Sequence, residues 1–208
     1  SPMVLGIISN DGILIFSEKD PEVSRLSLFS PEKIFPINKI SAIGATGKTG
    51  DINYLIQRAR IDNLSYRENF SESLNGSLLA SRVASLIHMH TVYWHLRPFA
   101  CSGIIGTISD SSPEIFVFFP SGLFVKCFGT AIGKQSETVK ISLENILVKS
   151  SNCRKNIKEV SKALKIVKPK LNLRLLEIFS LSRETSRFDK PISCNIITEN
   201  ERLSNFYP

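Results

Sequence analysis

The order in which strand-like and helix-like runs follow one another constrains this chain more than any single residue. Short runs rich in β-branched and aromatic residues predict strands at 3–8, 12–17, 33–37 and 39–46. The apolar period then changes. Ile52, Leu55, Ile56 and Ala59 recur three or four apart, a helical stripe, and a second helix opens at Ser71-Glu72-Ser73-Leu74, buries Leu79, Val83, Leu86 and Ile87, and ends at Pro98. Four further strands are predicted at 99–109, 114–119, 122–127 and 129–132, then helices at 134–147 and 153–168, and last strands near 174–181 and 191–197. The order ββββ, αα, ββββ, αα, ββ lacks the strand–helix alternation of a parallel doubly wound sheet. It predicts an α+β fold: a four-layer αββα sandwich of two antiparallel sheets, packed face to face, with a helix pair on each outer face. Both faces of each sheet are then buried, which is why Phe116-Val117-Phe118-Phe119 is continuously apolar rather than alternating.

Turn chemistry supports these divisions. Asn10-Asp11-Gly12 is a short hairpin signal, Asn38 splits the second strand pair, and Pro120-Ser121-Gly122 marks a turn between strands. With 208 residues, 42% hydrophobic and 22% charged, the chain is long enough to bury a core without disulfides or metals, as one domain over 1–208 with no internal repeat. Its four cysteines, Cys101, Cys127, Cys153 and Cys194, form no C-x-x-C pair and are expected as buried free thiols. No apolar run approaches the roughly 18 residues of a membrane span. The absence of an initiator Met and of a leader pattern implies either a processed N-terminus or sequence upstream.

The formal charge is +7, with the basic residues dispersed except between Lys149 and Lys170. That stretch is expected to be the wet face of a helix whose buried positions are Ile157, Val160, Leu164 and Val167. No aromatic platform accompanies it, which argues against single-stranded nucleic acid as a partner.

Three constellations invite a chemical reading. Ala42-Ile-Gly-Ala-Thr-Gly-Lys-Thr49 satisfies a relaxed phosphate-loop pattern, in which backbone N–H groups wrap phosphates and the Lys and hydroxyl complete the site. No later strand ends in a metal-binding Asp, and the antiparallel order is foreign to such loops, so a Gly-assisted strand-to-helix turn is the competing reading. Ser1 could act as an N-terminal nucleophile with its own α-amine as base, with Lys33 as cation and Gly47 as oxyanion donor. His88, His90 and His95 are too irregularly spaced on a helix to converge on a metal, and Asp20, Asp51, Asp62, Asp110 and Asp189 lie near turns or helix starts, where capping and solvation explain them. No cofactor, metal or nucleotide site is expected.

From Ser81 to Asn145 the chain resembles the central block of 20S proteasome α-type subunits. Their shared pattern is a helix ending in R-P-[FY]-G, a strand, a D-P-S-G turn, and A-[IM]-G before a helix. Here the matching residues are Arg97-Pro98-Phe99, Pro120-Ser121-Gly122 and Ala131-Ile132-Gly133. Gly6 to Lys19 is similar to the family's first hairpin and 32–37 to its third strand, so the resemblance covers about residues 3–165. Cys101, the "AIGK" ending in Lys134 and the helix from Cys153 look most like the seventh α type. Ala100 and Phe119 stand where the family has Gly and Asp, and the family's N-terminal gate tail and first helix are missing from this chain.

The resemblance implies an N-terminal nucleophile hydrolase-like fold and a non-catalytic subunit. In this family seven different α subunits form a ring stacked on a β ring, and only certain β subunits cut peptides. Catalytic relatives carry an Asp at position 17, where this chain has Ser17, which implies an inactive site around Ser1. The implied role is structural: ring assembly, substrate gating and activator docking in ubiquitin-dependent protein degradation, in cytoplasm and nucleus. The implied partners are two α neighbours, β subunits, and the C-terminal tails of a regulatory particle or activator, with no nucleic acid and no membrane. Lys33 matches the position from which α subunits offer an ammonium to a tail carboxylate, while the gate is assigned to no residue present here.

Overall fold

The computed structural model describes residues 2–18, 32–109, 112–147, 152–169, 176–182 and 195–196. Its elements run β1 (Val4–Ser9), β2 (Gly12–Glu18), β3 (Ile34–Pro36), β4 (Ser41–Gly47), α1 (Thr49–Phe70), α2 (Gly76–Val92), β5 (Cys101–Ile108), β6 (Pro113–Phe118), β7 (Phe124–Cys127), β8 (Gly129–Ile132), α3 (Ser136–Leu147), α4 (Cys153–Val167), β9 (Leu176–Ser182) and β10 (Asn195–Ile196). One sheet has the order β10-β9-β2-β1-β8 and the other β3-β4-β5-β6-β7. Every pairing is antiparallel, as the element order predicts.

Three apolar clusters fill three gaps between layers, and alternation along each strand decides which cluster a side chain joins. On β2, Ile13 and Ile15 enter the layer between the sheets while Leu14 and Phe16 face α3 and α4. On β6, Ile115 and Val117 enter the central layer while Phe116 and Phe118 face α1 and α2. Four layers with three dry interfaces give the expected αββα sandwich, and no position of the inner strands is left for a polar face. Phe16, Phe118 and Phe179 are among the largest side chains removed from water, each contributing about 2–3 kcal/mol by burial.

Glycines permit the closest approaches between the sheets. A Cβ at Gly44 would lie 2.8 Å from Ile15 Cγ2 and 2.9 Å from Val4 Cγ1, so the second sheet seats against the first only where β4 has no side chain.

The helix boundaries differ from expectation. The second helix does not begin at Ser71: that residue closes α1 in the left-handed conformation, φ 58°, its N–H donating to Arg67 O. Asn75 instead starts α2, its Oδ1 accepting from Leu78 N at 2.8 Å, an N-cap for which Asn is well suited. The same helix stops at Val92, six residues short of Pro98. The Asn10-Asp11 turn holds its strands in register, Ser9 opposite Gly12, with neither residue at positive φ. Its geometry is fixed from outside: Asp11 Oδ1 accepts from Cys153 N at 2.7 Å, and Asn156 Nδ2 donates to Ser9 Oγ at 2.7 Å. A carboxylate at the start of α4 complements the helix dipole there.

Cys101 and Cys153 are buried free thiols and Cys127 is half-buried, while Cys194 lies outside the described residues. Burial pushes the thiols of Cys101 and Cys127 up to about 11 and that of Cys153 up to about 12, so none is a ready nucleophile at neutral pH. No helix among the described residues is long and apolar enough to cross a membrane.

Candidate functional site

The positions singled out for an N-terminal nucleophile converge at one end of the central layer. Val4 on β1 pairs with Ser17 on β2, and Ser17 pairs in turn with Glu177 on β9. Ser17 is buried and its Oγ has no hydrogen-bond partner. Lys33, just before β3, is only 7% exposed, and its carbonyl accepts from Ala45 N at 2.9 Å. Thr46 Oγ1 donates to Pro2 O at 2.6 Å and ties the start of the chain to the end of β4. Ser1 itself lies outside the described residues, as do Asp20, Asp110 and Asp189.

Glu177 is the residue that sequence reasoning missed. It is 2% exposed, and its Oε2 accepts a hydrogen bond from the Lys33 amide at 3.1 Å across 144 residues. The signal was present in principle: in a strand predicted over 174–181 that buries both faces, an acid at an inward position needs a partner. The structure thus brings a buried carboxylate and a buried lysine to the same end of the sandwich, with Ser17 opposite Glu177 in the ladder.

The phosphate-loop reading is corrected by the ladder. Ala42 to Gly47 is a strand paired along its whole length with β5, and from Ala42 to Gly44 with β3 as well, Gly44 lying opposite Ile34 on β3 and Ile104 on β5. Extended and laddered in this way, the segment does not form the curled loop that wraps a phosphate. Lys48 N donates to Ala100 O at 2.9 Å, a fixed protein contact at the point where a phosphate loop would present free N–H groups.

Asp51 also departs from expectation. It is a buried acid rather than a solvated one: Arg97 donates to its Oδ1, and Ala100 N donates to its Oδ2 at 2.8 Å. The Arg97 hydrogen bond holds its carboxyl below the ordinary 3.8, with the Ala100 amide adding to the effect and burial opposing it. The Arg97-Pro98-Phe99 motif is therefore a clasp on the first turn of α1. Phe99 completes it, its ring 4.4 Å from His90 and 5.9 Å from Tyr54. Ala100 takes the place of a Gly without cost because its backbone does the bonding and its side chain is exposed.

The other motif glycines have equally concrete reasons. Gly122 has φ +82°, and a Cβ there would lie 2.7 Å from His88 Cβ; Gly133 has φ +99°, and a Cβ there would lie 2.6 Å from Pro2 O. The histidines do not meet: His90 Nδ1 lies 2.9 Å from Leu86 O, and His95 packs beside Tyr93 and Trp94. No group of three or more potential metal ligands occurs among the described residues.

Fold and site together define a sandwich of the N-terminal nucleophile hydrolase type, with Ser17, Lys33 and Glu177 buried at one end of it. The chain belongs to the proteasome subunit family, whose profile, described as "Proteasome subunit", matches residues 3–175. Among its relatives is proteasome subunit alpha type-3 of Oryza sativa subsp. japonica, 33% identical over 164 residues, covering 79% of this chain and 66% of the relative. Proteasome subunit alpha type-3 of Spinacia oleracea is 29% identical over 201 residues, 96% of this chain and 81% of the relative. A probable alpha type-7 subunit of Schizosaccharomyces pombe is 24% identical over 199 residues, 95% of this chain and 79% of the relative. The chain is accordingly of the α type. Because the relatives' names divide between type-3 and type-7, they carry the α class and not the expected seventh subtype.

Proposed function

We propose that this chain is a non-catalytic structural subunit of the α ring of a 20S proteasome core particle, acting in protein degradation. The observation that carries the reading is Ser17, buried and unpartnered at the acid's position, in a chain whose fold and family are those of proteasome subunits. An N-terminal hydrolase needs a base and a cation held by an acid, and a serine hydroxyl supplies neither charge nor proton affinity. We read 1–208 as one domain and assign the chain to the cytoplasm and nucleus. The seventh α type remains our subtype reading, resting on Cys101, Lys134 and the helix from Cys153.

Surface chemistry supports assembly. Around the end of α2, Met89, Val92 and Tyr93 are exposed, and Trp94 is 95% exposed. Exposed large apolar side chains close together in sequence suit an interface with another subunit. Ring neighbours and β subunits are the partners we assign to such surfaces. Native mass measurement of the endogenous protein is expected to find it only in a multi-ring particle; a stable monomer would overturn the reading.

Lys33 is our candidate for the cation that receives the C-terminal carboxylate of an activator tail. A carboxylate entering a largely desolvated cleft needs a fixed positive charge, and Lys supplies one as a point charge. Glu177 holds the Lys33 backbone in place, its Oε2 accepting from the Lys33 amide. In an assembled particle, Lys33→Ala is expected to weaken tail-peptide binding by about tenfold or more, the loss of one charge-assisted hydrogen bond, with ring composition unchanged. Unaltered affinity in that particle would remove Lys33 from the docking site.

A further inference from the structure

We infer that the outer face of α4 is a docking surface for an acidic, amphipathic segment of another protein. Arg154, Lys158, Lys162 and Lys165 lie along one exposed stripe of the helix, opposite the buried Ile157, Val160 and Leu164. At 1.5 Å per residue the stripe is about 16 Å long, with successive charges about 5–6 Å apart. Lys155 widens it, and the one acid of α4, Glu159, has its Oε2 buried.

This arrangement is unfavourable for the helix alone. Arg154 and Lys155 sit in the first turn, where the helix dipole disfavours cations and the Asp11 carboxylate accepts from the Cys153 amide. Arg154 and Lys158, and Lys158 and Lys162, are like-charge pairs four apart, which repel. The neighbouring α3 does not compensate, since Glu137 is already held by Lys140 at 2.8 Å and only Glu144 is added. A bound polyanion relieves every one of these repulsions.

Charge also selects the occupant. A second copy of a chain with net charge +7 is repelled. The occupant the stripe selects is therefore acidic, unlike this chain as a whole. Ile166, 80% exposed four residues beyond Lys162, offers one apolar anchor at the end of the stripe. With no aromatic on α4, a base has nothing to stack on, which favours a peptide over single-stranded nucleic acid.

The test is fluorescence anisotropy on the full chain, in whatever assembly it is purified, so that the outcome is separate from ring membership. The probes are a labelled Glu-rich peptide with spaced leucines and a single-stranded oligonucleotide of equal charge. The peptide is expected to bind, to weaken as salt rises, and to lose about tenfold in affinity with Lys158→Glu and Lys162→Glu combined. Lys39→Glu, an exposed change of charge elsewhere, is expected to leave binding as it was. Peptide binding that is absent, or indifferent to the double reversal, overturns the proposal. So does an oligonucleotide that binds more tightly than the peptide and is lost with the same two substitutions.

Discussion

Asp51→Ala is expected to lower the unfolding free energy by about 2–3 kcal/mol at neutral pH, read as an earlier urea midpoint with an unchanged slope. The carboxylate joins the start of α1 to the loop before β5, so its loss strips a charge-assisted partner from the part-buried Ala100 amide and frees Arg97 to the solvent. Arg97 is itself more than half exposed, so Arg97→Ala should be the milder change. The pH dependence has a definite sign. The folded pKa of Asp51 is depressed below 3.8, so the stability it contributes is fully present above that value and is lost as pH falls through the lower folded one. The difference between the native chain and Asp51→Ala should therefore shrink in acid. A difference that stays constant down to the acid unfolding of both proteins would show that the effect is one of packing and not of charge.

Local pattern made most of the fold legible in the sequence, because nearly every connection joins neighbouring antiparallel strands or paired helices. The change of apolar period at Gly47 and again at Pro98 separates sheets from helices without any knowledge of partners. What stayed hidden depends on residues far apart in the chain. Asp51 looked like a solvated helix-start acid because its partners lie 46 and 49 residues away. Glu177 escaped notice because only the register of β9 on β2 sets it beside Ser17, and only the sandwich sets it against Lys33. The α1–α2 junction was misread for a related reason. Ser-Glu-Ser-Leu reads as a helix start, yet Asn63, buried on α1, accepts from Leu74 N at 3.2 Å and from Asn38 Nδ2 at 2.9 Å and so holds that stretch extended. A buried side chain overrode the local preference.

The same distinction separates Gly47, in the stretch that mimics a phosphate loop, from Gly50 just beyond it. Gly47 has φ +132°, and a Cβ there would overlap the Ala100 carbonyl oxygen and lie 2.7 Å from Cys101 Cα, both backbone atoms with no freedom to retreat. Gly47→Ala is therefore expected to cost about 3 kcal/mol or more, the strain of a left-handed backbone added to a clash within the β4–β5 ladder. Gly50, three residues on, lies in the first turns of α1 with nothing within 4 Å of its Cβ position. Gly50→Ala should stabilise the chain by about 0.5–1 kcal/mol, since alanine restricts the unfolded state and favours the helix. A phosphate loop would make a different demand, that Gly47→Ala spare folding and impair nucleotide binding. Opposite shifts in thermal midpoint, down for Gly47→Ala and up for Gly50→Ala, would assign Gly47 to the close approach of two strands and Gly50 to an open helical position. If Gly47→Ala proves neutral, β4 must be able to move away from Ala100, and the contact that fixes the start of α1 is looser than the sandwich requires.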